Sequence, residues 1–123
     1  MLIKEFRHIG IAVKDLEDAT EFFELFGYYV IEKGNLSKRD AKKITGKDTK
    51  IEYVKMQSYY IDTNPVVIEL IKYTPDIDIK FHIAVSVDNI EHFLDEQIYY
   101  TDKKGRKVRY VNYGGLTLEV VQE

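Results

Sequence analysis

Two stretches of this chain carry the same residue pattern in the same order, and that repetition constrains the fold more than any single motif. FRHIGIAVKDLED, starting at Phe6, lies over KFHIAVSVDNIEH, starting at Lys80. His8 falls on His82, Ile9 on Ile83, Val13 on Val87, Asp15 on Asn89, Leu16 on Ile90 and Glu17 on Glu91. Further along, VVIELIKY (Val66 to Tyr73) matches LTLEVVQE (Leu116 to Glu123), each a β-rich run with one carboxylate inside it, Glu69 and Glu119. Two matches in one order indicate a duplication. At 123 residues the chain is a single domain's length, so the repeat divides one domain, 1–123, into modules at 1–75 and 76–123. The first module is longer, and its extra residues are placed around Gly34 to Asp48 and in the strands after it.

Each half reads as strand, helix, then three strands, an α+β arrangement of two tandem βαβββ modules. In the first half Asp15 is a plausible N-cap, with Asp18 in the first turn where negative charge is favoured. Leu16, Ala19, Phe22, Phe23 and Phe26 recur at helical spacing, and Gly27 is the stop. YYVIEK, KIEYVKMQ and VVIELIKY read as strands, with a turn at Asn64-Pro65. GNLSKRDAKKITGKD is polar and basic without apolar periodicity and reads as a long loop. In the second half FHIAVSV is a strand and NIEHFLDEQ a short helix. IYYTD and RKVRYVNY flank a turn at Lys103 to Gly105, and Gly114-Gly115 turns into the last strand.

Alternate residues of a strand face opposite sides. His8 therefore shares a face with Gly10 and Ala12, and His82 with Ala84 and Ser86; the bulky residues Ile9, Ile11, Val13, Phe81, Ile83, Val85 and Val87 form the opposite face, expected to pack on the helices. Glu69 and Glu119 oppose the apolar residues of their own strands. A mid-strand Glu costs free energy if it is buried without a partner. Two Glu matched by two His at repeat-related positions can neutralise one another or a cation. The chain has no Cys, so any metal must be held by imidazole and carboxylate, a set suited to one divalent ion such as Zn, Ni, Co, Mn or Fe. His92, mid-helix and without a repeat partner, reads as a solvated residue.

Charge narrows the function. Lys plus Arg number 18 against 21 Asp plus Glu, a net charge of -3, which argues against a nucleic-acid partner. No apolar stretch approaches a membrane span, and Lys4, Glu5 and Arg7 interrupt the start as they would not in a signal peptide. A cytoplasmic protein acting on a small molecule is expected. The basic segment 34–48 could be a mobile loop or a lid that attracts an anionic substrate. Among ten Tyr, Tyr53, Tyr110 and Tyr113 lie on strands near the His and Glu positions and are candidates to line a pocket.

These residues carry a family likeness. HIGIAVKDLEDATEFFELFGY resembles the opening of the vicinal oxygen chelate superfamily, the group of glyoxalase I, bleomycin-resistance proteins and extradiol dioxygenases. FHIAVSVDNIEHFLDE resembles the start of its second module and LTLEVVQE its closing strand, so the resemblance spans nearly the whole chain. It implies a cup-shaped mixed sheet with a metal at its base, held by His8, Glu69, His82 and Glu119, and commonly a homodimer. It also implies metal-dependent proton transfer next to a polarised carbonyl through an enolate-type intermediate, as in an isomerase, epimerase or lyase. Glu119 is then the first candidate base and Glu69 its counterpart, and the substrate is an anionic thioester or α-oxo compound. VIELIKY and HIAVSVDN resemble glyoxalase I, whereas HIGIAVKDLEDA is closer to methylmalonyl-CoA epimerase. Gly10-Ile11-Ala12-Val13 lacks the Arg typical of glyoxalase I, and only Asp48 could stand in for the second catalytic Glu of the epimerase. The alternative within the superfamily is a drug- or metabolite-binding protein, non-catalytic or thiol-transferring, of the bleomycin- or fosfomycin-resistance type.

Overall fold

A computed structural model describes residues 3–59, 65–93 and 99–123. The elements run β1 (Ile3–Ala12), α1 (Leu16–Leu25), β2 (Tyr28–Leu36), α2 (Lys38–Thr45), β3 (Lys50–Ser58) and β4 (Val67–Thr74). The second half gives β5 (Phe81–Val87), a 3-10 turn (Ile90–Phe93), β6 (Tyr100–Thr101), β7 (Lys107–Tyr113) and β8 (Leu116–Gln122). All eight strands form one sheet in the order β2-β3-β4-β1-β5-β8-β7-β6, curled into a half-barrel. The first strands of the two halves, β1 and β5, meet antiparallel at its centre, and each is flanked by the last strand of its own half, running parallel. This is the two-module α+β plan read from the repeat, in the cup shape implied by the family resemblance. Among the described residues no helix is long and apolar enough to cross a membrane.

Local chemistry explains the helix boundaries. Asp15 caps α1, its carboxylate accepting from the Asp18 N–H at 3.0 Å. Leu16, Ala19 and Phe23 pack with Ile11 and Val13 against Val54, Met56, Ile68 and Leu70 on the convex face of the first half. Phe22 and Phe26, expected inside by spacing, are exposed and stack on each other with centroids 4.8 Å apart. They fall on the flank of the helix that the sheet does not reach.

The segment expected to be a loop is a strand end followed by a helix. Gly34, Asn35 and Leu36 continue β2, and residues 38–45 form α2. Ser37 caps α2 by accepting from the Asp40 N–H, and Gly46 ends it in the left-handed region at φ 74°. Ala41, Ile44 and Thr45 are buried, a stripe at i, i+3 and i+4 that six Lys and Arg in and around the segment conceal when the sequence is read for apolar runs. α2 enters the concave side, where Ala41 and Ile44 join Ile51, Ile71, Tyr73, Ile79 and Tyr110 in one apolar cluster. It packs on β2 and β3 from one edge of the half-barrel and on β6 and β7 from the other, so it closes the open side of the cup.

The bulky face of the central strands is only partly covered. Val85 and Val87 pack with Ile90, Val111 and Val120 beneath the 3-10 turn, and Ile11 and Val13 lie under α1. Ile9 and Phe81, however, are 39% and 66% exposed. The described part of the second half's helical segment is a single 3-10 turn; residues 94–98 of that expected helix, like the Asn64 part of the Asn64-Pro65 turn and the His92 side chain, lie outside what is described. A register shift between Phe6 and His8 moves Phe6 off the His8 face. It pairs with Val85 instead and is 58% exposed.

Candidate metal centre

His8 on β1 and His82 on β5 approach across the antiparallel seam, with Nε2 to Nε2 at 3.2 Å. Glu69 Oε1 lies 3.6 Å from His8 Nε2 and 3.5 Å from His82 Nε2. Glu119 Oε1 lies 3.7 Å and 3.1 Å from the same two nitrogens. The four donor atoms all fall within 4.8 Å of one another. Register produces this convergence: Gly10 pairs with both Glu69 and His82, and Ala84, partner of His8, pairs with Glu119. Gly10 is required here because a Cβ at that position would overlap the His82 ring.

The donor set fits a divalent cation. Bonds of about 2.1 Å in a tetrahedral site put donors roughly 3.4 Å apart, the range the His and Glu atoms already occupy. His8, His82 and Glu69 are buried, at 3%, 1% and 7% exposed, and Glu119 is half-buried. Two protonated Nε2 atoms 3.2 Å apart must each turn N–H toward a carboxylate, whereas two neutral rings can turn both lone pairs toward one cation. Two ionised carboxylates and two neutral imidazoles carry two negative charges, which a divalent ion cancels. These four residues would hold it.

Without a metal, protons take the cation's part. Burial alone would lower the His82 pKa, but hydrogen bonds to Glu119 and Glu69 override it and raise it to about 9. His8 is raised by the same balance. Burial opposes ionisation of Glu69 and Glu119, yet the imidazoles hold both below the ordinary carboxylate range, Glu119 well below.

Behind His82 runs a buried hydroxyl chain. Tyr110 OH is 3.2 Å from His82 Nδ1, and Tyr73 OH is 3.2 Å from Tyr110 OH. The tautomer that leaves Nε2 a lone pair donates from Nδ1 to Tyr110, which donates onward to Tyr73. Partners of this kind fix the ring of a metal-binding His.

In front of the donors lies a cavity of about 370 Å³, within the ordinary size of small-molecule sites. Leu36, Ile44, Ile51, Ile71 and Val108 make its apolar wall, and Arg7, Lys55, Lys103, Lys104 and Arg106 line it together with the carboxylates of Glu32 and Asp102. His8, Glu69 and Glu119 also line it. Tyr53 lines it with its hydroxyl donating to Glu32 Oε2 at 2.6 Å, and Tyr110 lines it while holding His82. Asp48 does not: it is exposed and paired with Lys42 at 3.1 Å. Tyr113 ends β7, and its side chain lies outside what is described. Sequence reading missed Lys55, Glu32 and Tyr73. Parity alone would have put Tyr73 on the Glu69 face, but the cross-strand register that sets Lys55 between Glu32 and Glu69 is not written in any one segment.

The family model for the Glyoxalase/Bleomycin resistance protein/Dioxygenase superfamily matches residues 5–106, and the chain belongs to that superfamily. Two solved structures share the fold. A hypothetical protein from Bacillus halodurans C-125 superposes with a TM-score of 0.61 at 17% identity, over 97% of this chain and 94% of that one. A glyoxalase family protein from Bacillus cereus superposes with a TM-score of 0.51 at 16% identity, over 100% and 97%. The search of curated proteins gives no match.

The raised imidazole pKa values give opposite pH slopes with and without metal. In the metal-free protein the stabilisation from His82 is fully present below about pH 6.5, its unfolded value, and is lost as pH rises through about 9. Metal binding needs neutral imidazoles and releases those protons. The rise in Tm on adding Zn²⁺ should therefore grow steadily from pH 6 to pH 9 in thermal melts. A Zn²⁺-induced shift of constant size across that range would contradict the protonated cluster.

Proposed function

We propose that this protein is a divalent-metal-dependent isomerase, epimerase or lyase that moves a proton on the carbon beside a carbonyl. The observation that carries this reading is four converging donors at the base of a cavity with an apolar wall and with Lys103 and Lys104 in its lining. A bound divalent cation would supply Lewis-acid polarisation of the substrate carbonyl and stabilise enolate charge. Glu119 takes the proton from the adjacent carbon and returns it; its side chain lines the cavity and is 14% exposed against 9% for Glu69. Leu36, Ile44 and Ile51 exclude water around the reacting carbon.

The substrate is a small anionic thioester or α-oxo compound. Among the described residues no ion pair engages Lys103 or Lys104 of the cavity lining, which supports an anionic group there. The glyoxalase I and methylmalonyl-CoA epimerase types remain the two precedents to test. Asp48, paired with Lys42 away from the cavity, does not support the epimerase's second base.

The test uses metal-loaded protein in D₂O with glutathione hemithioacetal, methylmalonyl-CoA and other small α-oxo acids and acyl thioesters. Deuterium should enter the α-carbon of at least one, and Glu119→Gln should slow this by about 100-fold or more, the usual contribution of a general base. Tight binding of these compounds with no exchange in any would favour the drug- or metabolite-binding alternative.

A homodimer accompanies this reading. Phe6, Ile9 and Phe81 are exposed on the convex side of the β1–β5 seam, where the two modules meet, with Leu116 exposed on β8. An apolar patch on a pseudo-twofold seam suits an isologous contact with a second copy. Light scattering should give twice the 14.5 kDa chain mass, and Phe81→Lys should return it to one chain. A monomer mass for the unsubstituted chain at tens of micromolar would rule the dimer out.

A further inference from the structure

The two glutamates are not equivalent, and the difference lies in the strand next to each. Glu69 divides its oxygens: Oε1 faces both imidazoles, while Oε2 lies 3.9 Å from Lys55 Nζ. Register fixes this, since Lys55 on β3 is the cross-strand partner of Glu69 on β4 and of Glu32 on β2. Lys55 is held on its far side as well, 4.0 Å from Glu32 Oε2, the oxygen that accepts from Tyr53 OH. A polar row thus crosses the floor of the cup from Tyr53 and Glu32 through Lys55 to Glu69. In the second half the residue opposite Glu119 is Tyr110, whose hydroxyl is directed at His82 and Tyr73. Among the described residues no Lys or Arg pairs with Glu119.

We infer that Lys55 is a positioning residue that pins Glu69 as the fixed, one-oxygen ligand and thereby leaves Glu119 as the carboxylate able to move. The inference rests on the proposed metal site but follows from this chain's own asymmetry. With Oε2 of Glu69 facing the Lys55 ammonium, Oε1 is the oxygen presented to a cation. Among the described residues Glu119 has no such tether, so its carboxylate would be the one free to release a bound cation and accept a proton. Lys55 acts through Glu69, and outer partners of this kind set the affinity of the metal.

The sign of one measurement separates positioning from charge. A lysine near the site that acted only through its positive charge would repel a cation, and removing it would tighten binding. A lysine that positions Glu69 weakens binding when lost. Zn²⁺ titration by calorimetry, with melts in chelator to verify folding, should show Lys55→Met weakening affinity about 10–100-fold and Lys55→Arg restoring most of it. The loss should persist when Glu119→Gln is also present and largely vanish in the Glu69→Gln background, because the coupling is between Lys55 and Glu69. Unchanged or tighter binding in Lys55→Met, or an equal loss in both backgrounds, would overturn the positioning role. No Zn²⁺ binding by the unsubstituted chain would instead overturn the metal site beneath it.

Discussion

The approach of His8 to His82 across the β1–β5 seam is the contact on which the rest depends. It places two imidazole nitrogens 3.2 Å apart in the interior, an arrangement that is unfavourable unless a proton or a cation lies between them and the neighbouring carboxylates. The parallel pairing of each half's last strand beside its first brings Glu69 and Glu119 to the same point. Duplication thus does more than repeat a fold unit. One strand pair per half supplies one His and one Glu, and antiparallel joining of the halves assembles a balanced set of four. The contact also makes a demand of its neighbour: Gly10 is occupied from above by the His82 ring.

The halves then diverge around this shared centre. The first half has the longer helix on the convex face and a second helix on the concave one, whereas the second half's described helical element is a 3-10 turn. α2 turns an open half-barrel into a cavity by touching both of its edges. The residues beside the two glutamates diverge too, Lys55 in one half and Tyr110 in the other. A symmetric set of donors with asymmetric supports suits chemistry in which one carboxylate stays and the other works.

Much of this was legible in the sequence. The repeat of His8 on His82 and Glu69 on Glu119 gave the module plan, and strand parity put the two His on the face with Gly10 and Ala84. Strand parity is a period of two and survives any change of surface charge. The helix at 38–45 was hidden because its buried stripe has only Ala41, Ile44 and Thr45, and the lysines around it dominate any apolar average. Its caps, Ser37 and Gly46, were the readable signal. The exposure of Phe6 depends on a bulge, and the Glu32–Lys55–Glu69 row depends on register. Such properties belong to pairs of segments, so no single segment announces them.

The most direct test is X-ray absorption at the metal edge of the protein loaded with Zn²⁺ or Co²⁺, with metal content measured on the same sample. Four convergent donors predict one ion per chain, with a first shell of nitrogen and oxygen near 2.0–2.2 Å and the outer scattering of two imidazoles. That outer scattering should fall to one imidazole in His82→Ala. Substoichiometric metal, or a first shell without imidazole, would contradict the assignment of His8, Glu69, His82 and Glu119 as one metal centre.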